Sequence, residues 1–154
     1  SHFVDCGNLS CSLVMWFIIS ARHLQWNGFF DHLYRVLARY PNVPSYMIQL
    51  EILESSVLTD INNISSIIKT CRHTLGLKIS LDDFGTGYSS LTHLRHLPVA
   101  TVKIDQSFVR DLIDDPNDYT IIDGVIGLTD AFHHHVIAAG VETTEHGFML
   151  LAMG

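Results

Sequence analysis

The chain has 154 residues, room for one domain or for part of a larger one. Apolar residues make up 47% and charged residues 16%, a balance that excludes a disordered segment. The formal net charge of −7 argues against a nucleic-acid polymer as partner, but not against a small phosphate ligand held through metal ions.

Cys6 and Cys11 come first in the chain, and with Cys71 they make an odd number without metal-ligand spacing. That pattern suits a reducing compartment better than a disulfide framework. The apolar run at 13–19 is too short to span a bilayer and lacks a basic flank, so it reads as a buried strand. No membrane span and no targeting segment are expected. Phe29, Phe30, Leu33, Val36 and Leu37 then recur at intervals of three and four, which predicts a helix. A second strand at 46–50 ends at Glu51. Ile64, Ile67, Ile68 and Cys71 predict the next helix, with Gly76 placed where a C-terminal cap belongs.

The strand at 77–81 ends in two adjacent carboxylates, Asp82 and Asp83, followed by a loop with two glycines. Adjacent acids at the end of a buried strand repel one another unless something positive lies between them. One divalent cation, or two, would meet that need and would suit phosphodiester hydrolysis. The alternative is that Asp83 caps the loop while Asp82 faces solvent. Further strands are predicted at 101–104, ending at Asp105, and at 136–141, ending at Glu142. Between them lies a helix at 119–132, with Asp118 in its N-cap region. Asp114, Asp115 and Asp118 read as a solvated turn before that helix.

Continuous apolar strands alternating with amphipathic helices predict an α/β fold, a parallel sheet covered by helices. The acidic strand ends then share one face. In a barrel that face carries the active site; in a doubly wound sheet the acids would simply begin loops. His133, His134 and His135 fall where a helix passes into a strand, on the opposite face, which disfavours a metal role. His93 and His96 are three apart and read as a solvated helix face.

Several motifs occur together and in order: Leu50-Glu51-Ile52-Leu53-Glu54-Ser55, then Asp82-Asp83-Phe84-Gly85-Thr86-Gly87-Tyr88-Ser89-Ser90-Leu91. Leu97-Pro98-Val99, Lys103-Ile104-Asp105-Gln106-Ser107-Phe108-Val109 and Gly140-Val141-Glu142-Thr143 follow. With these the chain resembles the EAL domain, the family of cyclic di-GMP phosphodiesterases, from residue 18 to 154; residues 1–12 are unassigned. The resemblance implies a single partial EAL domain over 1–154. Its fold would be a modified TIM (β/α)8 barrel, incomplete at both ends, with about five strands. It implies metal-dependent hydrolysis of cyclic di-GMP to the linear dinucleotide, with Mg²⁺ or Mn²⁺ as cofactor, in a bacterial cytoplasm.

By the same resemblance Glu51 is a metal ligand, Asp82 bridges two ions and Asp83 ligates the second. Lys103 corresponds to the lysine beside the attacking water, and Glu54 to a glutamate that steadies the loop after Asp83. That loop, from Phe84 to Ser90, implies a homodimer contact. Asp105 would fix its own loop, and Glu142 keeps its place beside the site. The pattern fails at two ligand positions. Ile18 stands in Ile18-Ile19-Ser20-Ala21 where the family has an asparagine, and Ala139 in Ala138-Ala139-Gly140-Val141-Glu142 where it has a glutamate. The Glu-Ala-Leu signature and the last strand of the family pattern are not matched either. Hard cations need about six oxygen ligands, so these losses predict weak or absent metal and little or no hydrolysis. The alternative is a degenerate module that senses cyclic di-GMP or docks a protein.

Overall fold

In the computed structural model the described residues are 3–5, 12–57, 60–86 and 91–154. A short strand β1 (Phe3–Asp5) pairs antiparallel with β2 (Ser12–Ile19), Phe3 opposite Val14. From β2 the sheet runs in parallel through β3 (Ile48–Leu53), β4 (Lys78–Phe84), β5 (Thr101–Ile104) and β6 (His135–Ala138). Spatial order equals chain order, as expected when each strand returns through a helix to pair beside its predecessor. Those connections contain α1 (Ala21–Leu24) and α2 (Phe29–Arg39), then α3 (Glu54–Val57) and α4 (Ile61–Leu75). Later come α5 (Leu91–His96), α6 (Gln106–Asp111), α7 (Pro116–Ala131) and finally α8 (Thr144–Met153). Five parallel strands with helices form part of a TIM-like barrel, as the sequence predicts. No helix among the described residues is long and apolar enough to cross a membrane.

Strand alternation sorts the two sides of the sheet. Leu50, Ile52, Ile79, Leu81, Val102 and Ile104 face the helices and are almost fully buried, packed with Ile64, Ile68, Val109 and Ile122. Each such side chain contributes about 1.5–3 kcal/mol on leaving water. The other side carries Gln49, Glu51, Ser80, Asp82, Thr101 and Lys103, so this inner face is polar.

Element boundaries differ from the sequence expectation where local chemistry intervenes. Residues 45–47 form a 3-10 turn after Pro44, so β3 begins at Ile48 instead of Tyr46. Helix α7 begins at Pro116, whose fixed φ suits a first helical position, and Asp115 replaces Asp118 as its cap by accepting from the Asn117 N–H. Strand β6 stops at Ala138, because Gly140 takes φ +76 and turns the chain away. Gly76 does cap α4, at φ +66, and its N–H donates to the Arg72 carbonyl.

Candidate active site

Glu51, Asp82 and Lys103 meet on the inner face near the C-terminal ends of β3, β4 and β5. The Lys103 Nζ donates to Glu51 Oε1 at 2.6 Å and to Asp82 Oδ2 at 3.1 Å. The side chains of Lys103, Glu51 and Asp82 are 14%, 5% and 13% exposed, so this is a largely desolvated ion triad. The Trp16 ring of β2 lies over the ammonium, 5.4 Å from centroid to Nζ, a cation–π contact. Burial pulls the Lys103 pKa down, but the hydrogen bonds and charges of Glu51 and Asp82 outweigh it and hold the group above its ordinary range.

One layer deeper, the buried Gln49 amide donates to the Ser80 hydroxyl and reaches Thr101 Oγ1 at 3.5 Å. This supports the strands beneath the triad without adding charge.

Asp83 lies within β4 where its register with β5 shifts, and takes φ +57, a left-handed conformation that aspartate tolerates better than most residues. Asp83 is exposed, and the Lys103 ammonium donates to Glu51 and Asp82 and not to it. Partial burial, then the charges of Asp82 and Asp105, raise its pKa. Asp105 behaves oppositely. Burial pushes its pKa up, but the Ser107 hydroxyl and N–H, together with Asp83, pull it below its ordinary value. Asp105 caps α6 by accepting from the Ser107 N–H at 2.9 Å, which fits the loop-fixing role the resemblance implies.

Glu54 opens α3 and is 2% exposed. Its Oε2 accepts from the Gly85 N–H at 3.1 Å, tying the loop after Asp83 to the end of β3. Gly85 also packs against α6: at φ +103, a Cβ there would lie 2.9 Å from the Phe108 ring. Gly140 is held similarly by Gln106, whose Cβ would stand 2.7 Å from an added Cβ. The first turn of α6 thus supports the loops on both sides. Sequence reading missed this brace, and also Trp16; two glycines opposite one Lys-Ile-Asp-Gln-Ser-Phe segment were the signal for the former.

The remaining positions contribute no oxygen to the triad. Ile18 pairs in register with Glu51 and is 67% exposed. Ala139 lies just beyond β6, its N–H bonded to the Ile104 carbonyl at 3.2 Å. Glu142 is exposed and makes no ion pair with a described residue. His134 is structural: its ring nitrogens lie 2.9 Å and 3.3 Å from the Val99 and Leu94 carbonyls, on the face opposite the acids. Cys71 is a core residue whose thiol is pushed up to about 11 by burial. Cys6, Cys11 and residues 87–90 of the loop from Phe84 to Ser90 lie outside the described residues.

Two hard cations would need about six oxygens each. Among the described residues no three Asp, Glu, His or Cys side chains converge so as to hold a metal ion. Glu51 and Asp82 do converge, on the Lys103 ammonium, and Asp83 does not join them. The donor set present does not fit a two-metal centre.

A parallel (β/α) barrel sheet with a carboxylate–lysine cluster at its strand C-terminal ends defines a class of barrel domains whose active site lies at that face. The chain belongs to the EAL domain family, whose model matches residues 12–154. It is 36% identical over 136 residues to the cyclic di-GMP phosphodiesterase PA2567 of Pseudomonas aeruginosa, covering 88% of this chain and 23% of that protein. The EAL domain of Mycobacterium smegmatis DcpA superposes with a TM-score of 0.83 at 38% identity, over 92% of this chain and 62% of that one. The PaMucR phosphodiesterase in complex with c-di-GMP superposes with a TM-score of 0.84 at 31% identity, over 92% and 56% of the two chains. The chain therefore spans about a quarter of the curated relative and about three fifths of the solved EAL domain.

Proposed function

We propose that this chain is an EAL module built on the cyclic di-GMP phosphodiesterase site in which hydrolysis is lost or strongly impaired. One observation carries the reading. The two carboxylates that converge on the inner face are bound to Lys103, and the neighbouring strand ends supply Ile18 and Ala139 in place of oxygen donors.

EAL phosphodiesterases work with divalent metal, which activates water and stabilises charge on a phosphodiester. Here the residues themselves do something different. Lys103 bridges Glu51 and Asp82 and offsets one of their two charges, and the Trp16 ring lies over its ammonium. Glu54, Gly85 and α6 keep the loop after Asp83 in place. Cyclic di-GMP, the ligand of the PaMucR complex, is the ligand class proposed for this face. A homodimer through the loop from Phe84 to Ser90 and a bacterial cytoplasmic setting belong to the same reading. Retention of ligand binding without hydrolysis is its sensing form.

The test is incubation of the purified chain with cyclic di-GMP and Mn²⁺, followed by chromatography for the linear dinucleotide and calorimetry for binding. No product above the buffer blank is expected. Product formation that disappears in Asp82→Ala would overturn the proposal. Heat of binding without product identifies the sensing form, and no heat identifies a docking module.

A further inference from the structure

The face opposite the acids carries a cavity that the site above does not use. It measures about 350 Å³ and is bordered by Arg72 near the end of α4, Lys78 at the start of β4, and His133 and His135 at the start of β6. An adjoining cavity of about 270 Å³ shares Pro98 with it and carries Lys69 and Arg95 on its wall. Among the described residues neither cavity is lined by Asp or Glu. Four of the chain's nine Lys and Arg residues are gathered here, on a molecule of net charge −7.

A simpler account would make these cations caps for the helix ends that border the cavity. Several of the carbonyls concerned already have backbone partners. Gly76 N–H takes the Arg72 carbonyl at 3.1 Å and Leu77 N–H takes that of Cys71 at 3.4 Å. At the end of α7, the N–H groups of Phe132, His133 and His134 take the carbonyls of Leu128, Asp130 and Thr129. A helix C-terminus carries about half a negative charge, less than the two full charges of Arg72 and Lys78. Neither of those cations forms an ion pair with a described residue. Their charge is uncompensated.

We infer that this cavity binds a small anion bearing phosphate groups. A guanidinium offers a planar fork to phosphate oxygens and an ammonium adds a point charge. The imidazoles of His133 and His135 each offer an N–H donor. A volume of about 350 Å³ lies near the lower end for small-ligand pockets. The adjoining Lys69 and Arg95 wall favours a second anionic group, so a diphosphate fits the pair of cavities better than a single phosphate.

Pyrophosphate is the probe, titrated into the full chain at near-physiological salt by calorimetry and by amide chemical-shift mapping. Saturable one-site binding is expected, with shifts centred on Lys78, Ala100, His133 and His135. The Arg72→Gln/Lys78→Gln double variant should weaken it roughly tenfold or more, as expected for lost charged hydrogen bonds. Asp82→Ala should leave it unchanged, which separates this site from the acidic face. Absence of saturable binding, equal affinity in the double variant, or wild-type shifts centred elsewhere would each overturn the assignment. The shift map reads the wild-type chain alone, so it decides the matter even if the variant folds poorly.

Discussion

Replacing Lys103 by methionine keeps an unbranched side chain of nearly the same length and removes the ammonium that binds Glu51 and Asp82. Both carboxylates are then stranded at 5% and 13% side-chain exposure. Breaking a buried pair in this way costs about 3–5 kcal/mol. The lower figure suits a triad that retains slight solvent contact, so Lys103→Met should cost about 3 kcal/mol. For a domain of this size each kcal/mol shifts the thermal midpoint by about 2–4 °C, which gives a fall of about 6–12 °C. Circular dichroism during heating at neutral pH measures it. Adding Glu51→Gln to the variant removes one stranded charge and should recover about half of the loss. The pKa of Lys103 is raised above its ordinary 10.5 in the folded state. Its stabilisation is therefore fully present below pH 10.5 and is lost as pH rises through the higher folded value. The gap between wild type and Lys103→Met should close in that alkaline range. A midpoint change under about 2 °C at neutral pH would refute the reasoning, because it would place the triad among solvated surface pairs.

Installing oxygen donors with Ile18→Asn and Ala139→Glu should strengthen Mn²⁺ binding, read by electron paramagnetic resonance; unchanged affinity would show that these two positions do not limit the site. Gly85→Ala should cost about 1–3 kcal/mol in urea unfolding, since the residue sits at φ +103 against the Phe108 ring, and Phe108→Leu should return part of it. Asp83→Asn should raise the thermal midpoint at pH 7 but not at pH 3. A raised carboxyl pKa carries a penalty that is present above the folded value and absent below the ordinary 3.8, and asparagine keeps the left-handed backbone. An equal rise at both pH values would show that the charge is not the cause.

Glu51, Asp82 and Lys103 were legible because each stands at or near the end of an apolar run, and parallel strands bring such ends to one face. Asp105 was read as fixing its own loop, and the structure shows it as the cap of α6, a local role that the run Asp105-Gln106-Ser107 could have signalled. Asp83 stayed ambiguous between metal ligand and loop residue. Its left-handed backbone stands at the register shift between β4 and β5, and the loop that follows is held at Gly85 by Glu54 and Phe108 from distant segments. Trp16 read simply as strand hydrophobicity. Its place over Lys103 follows from the register of β2 with β3, which no local pattern encodes.

The same register explains why the triad is an ion cluster and not a row of solvated charges. Reading 46–50 and 77–81 as continuous apolar runs hid the alternation that puts Gln49, Ser80 and Thr101 on the inner side. Those three uncharged groups satisfy one another beneath the acids, so no charge from below competes for Lys103. Its ammonium is left to the carboxylates above and to the Trp16 ring beside it. An oxygen donor at Ile18, in register with Glu51, would add another acceptor at this face. The apolar side chain adds none, and Glu51 keeps Lys103 as its charged partner.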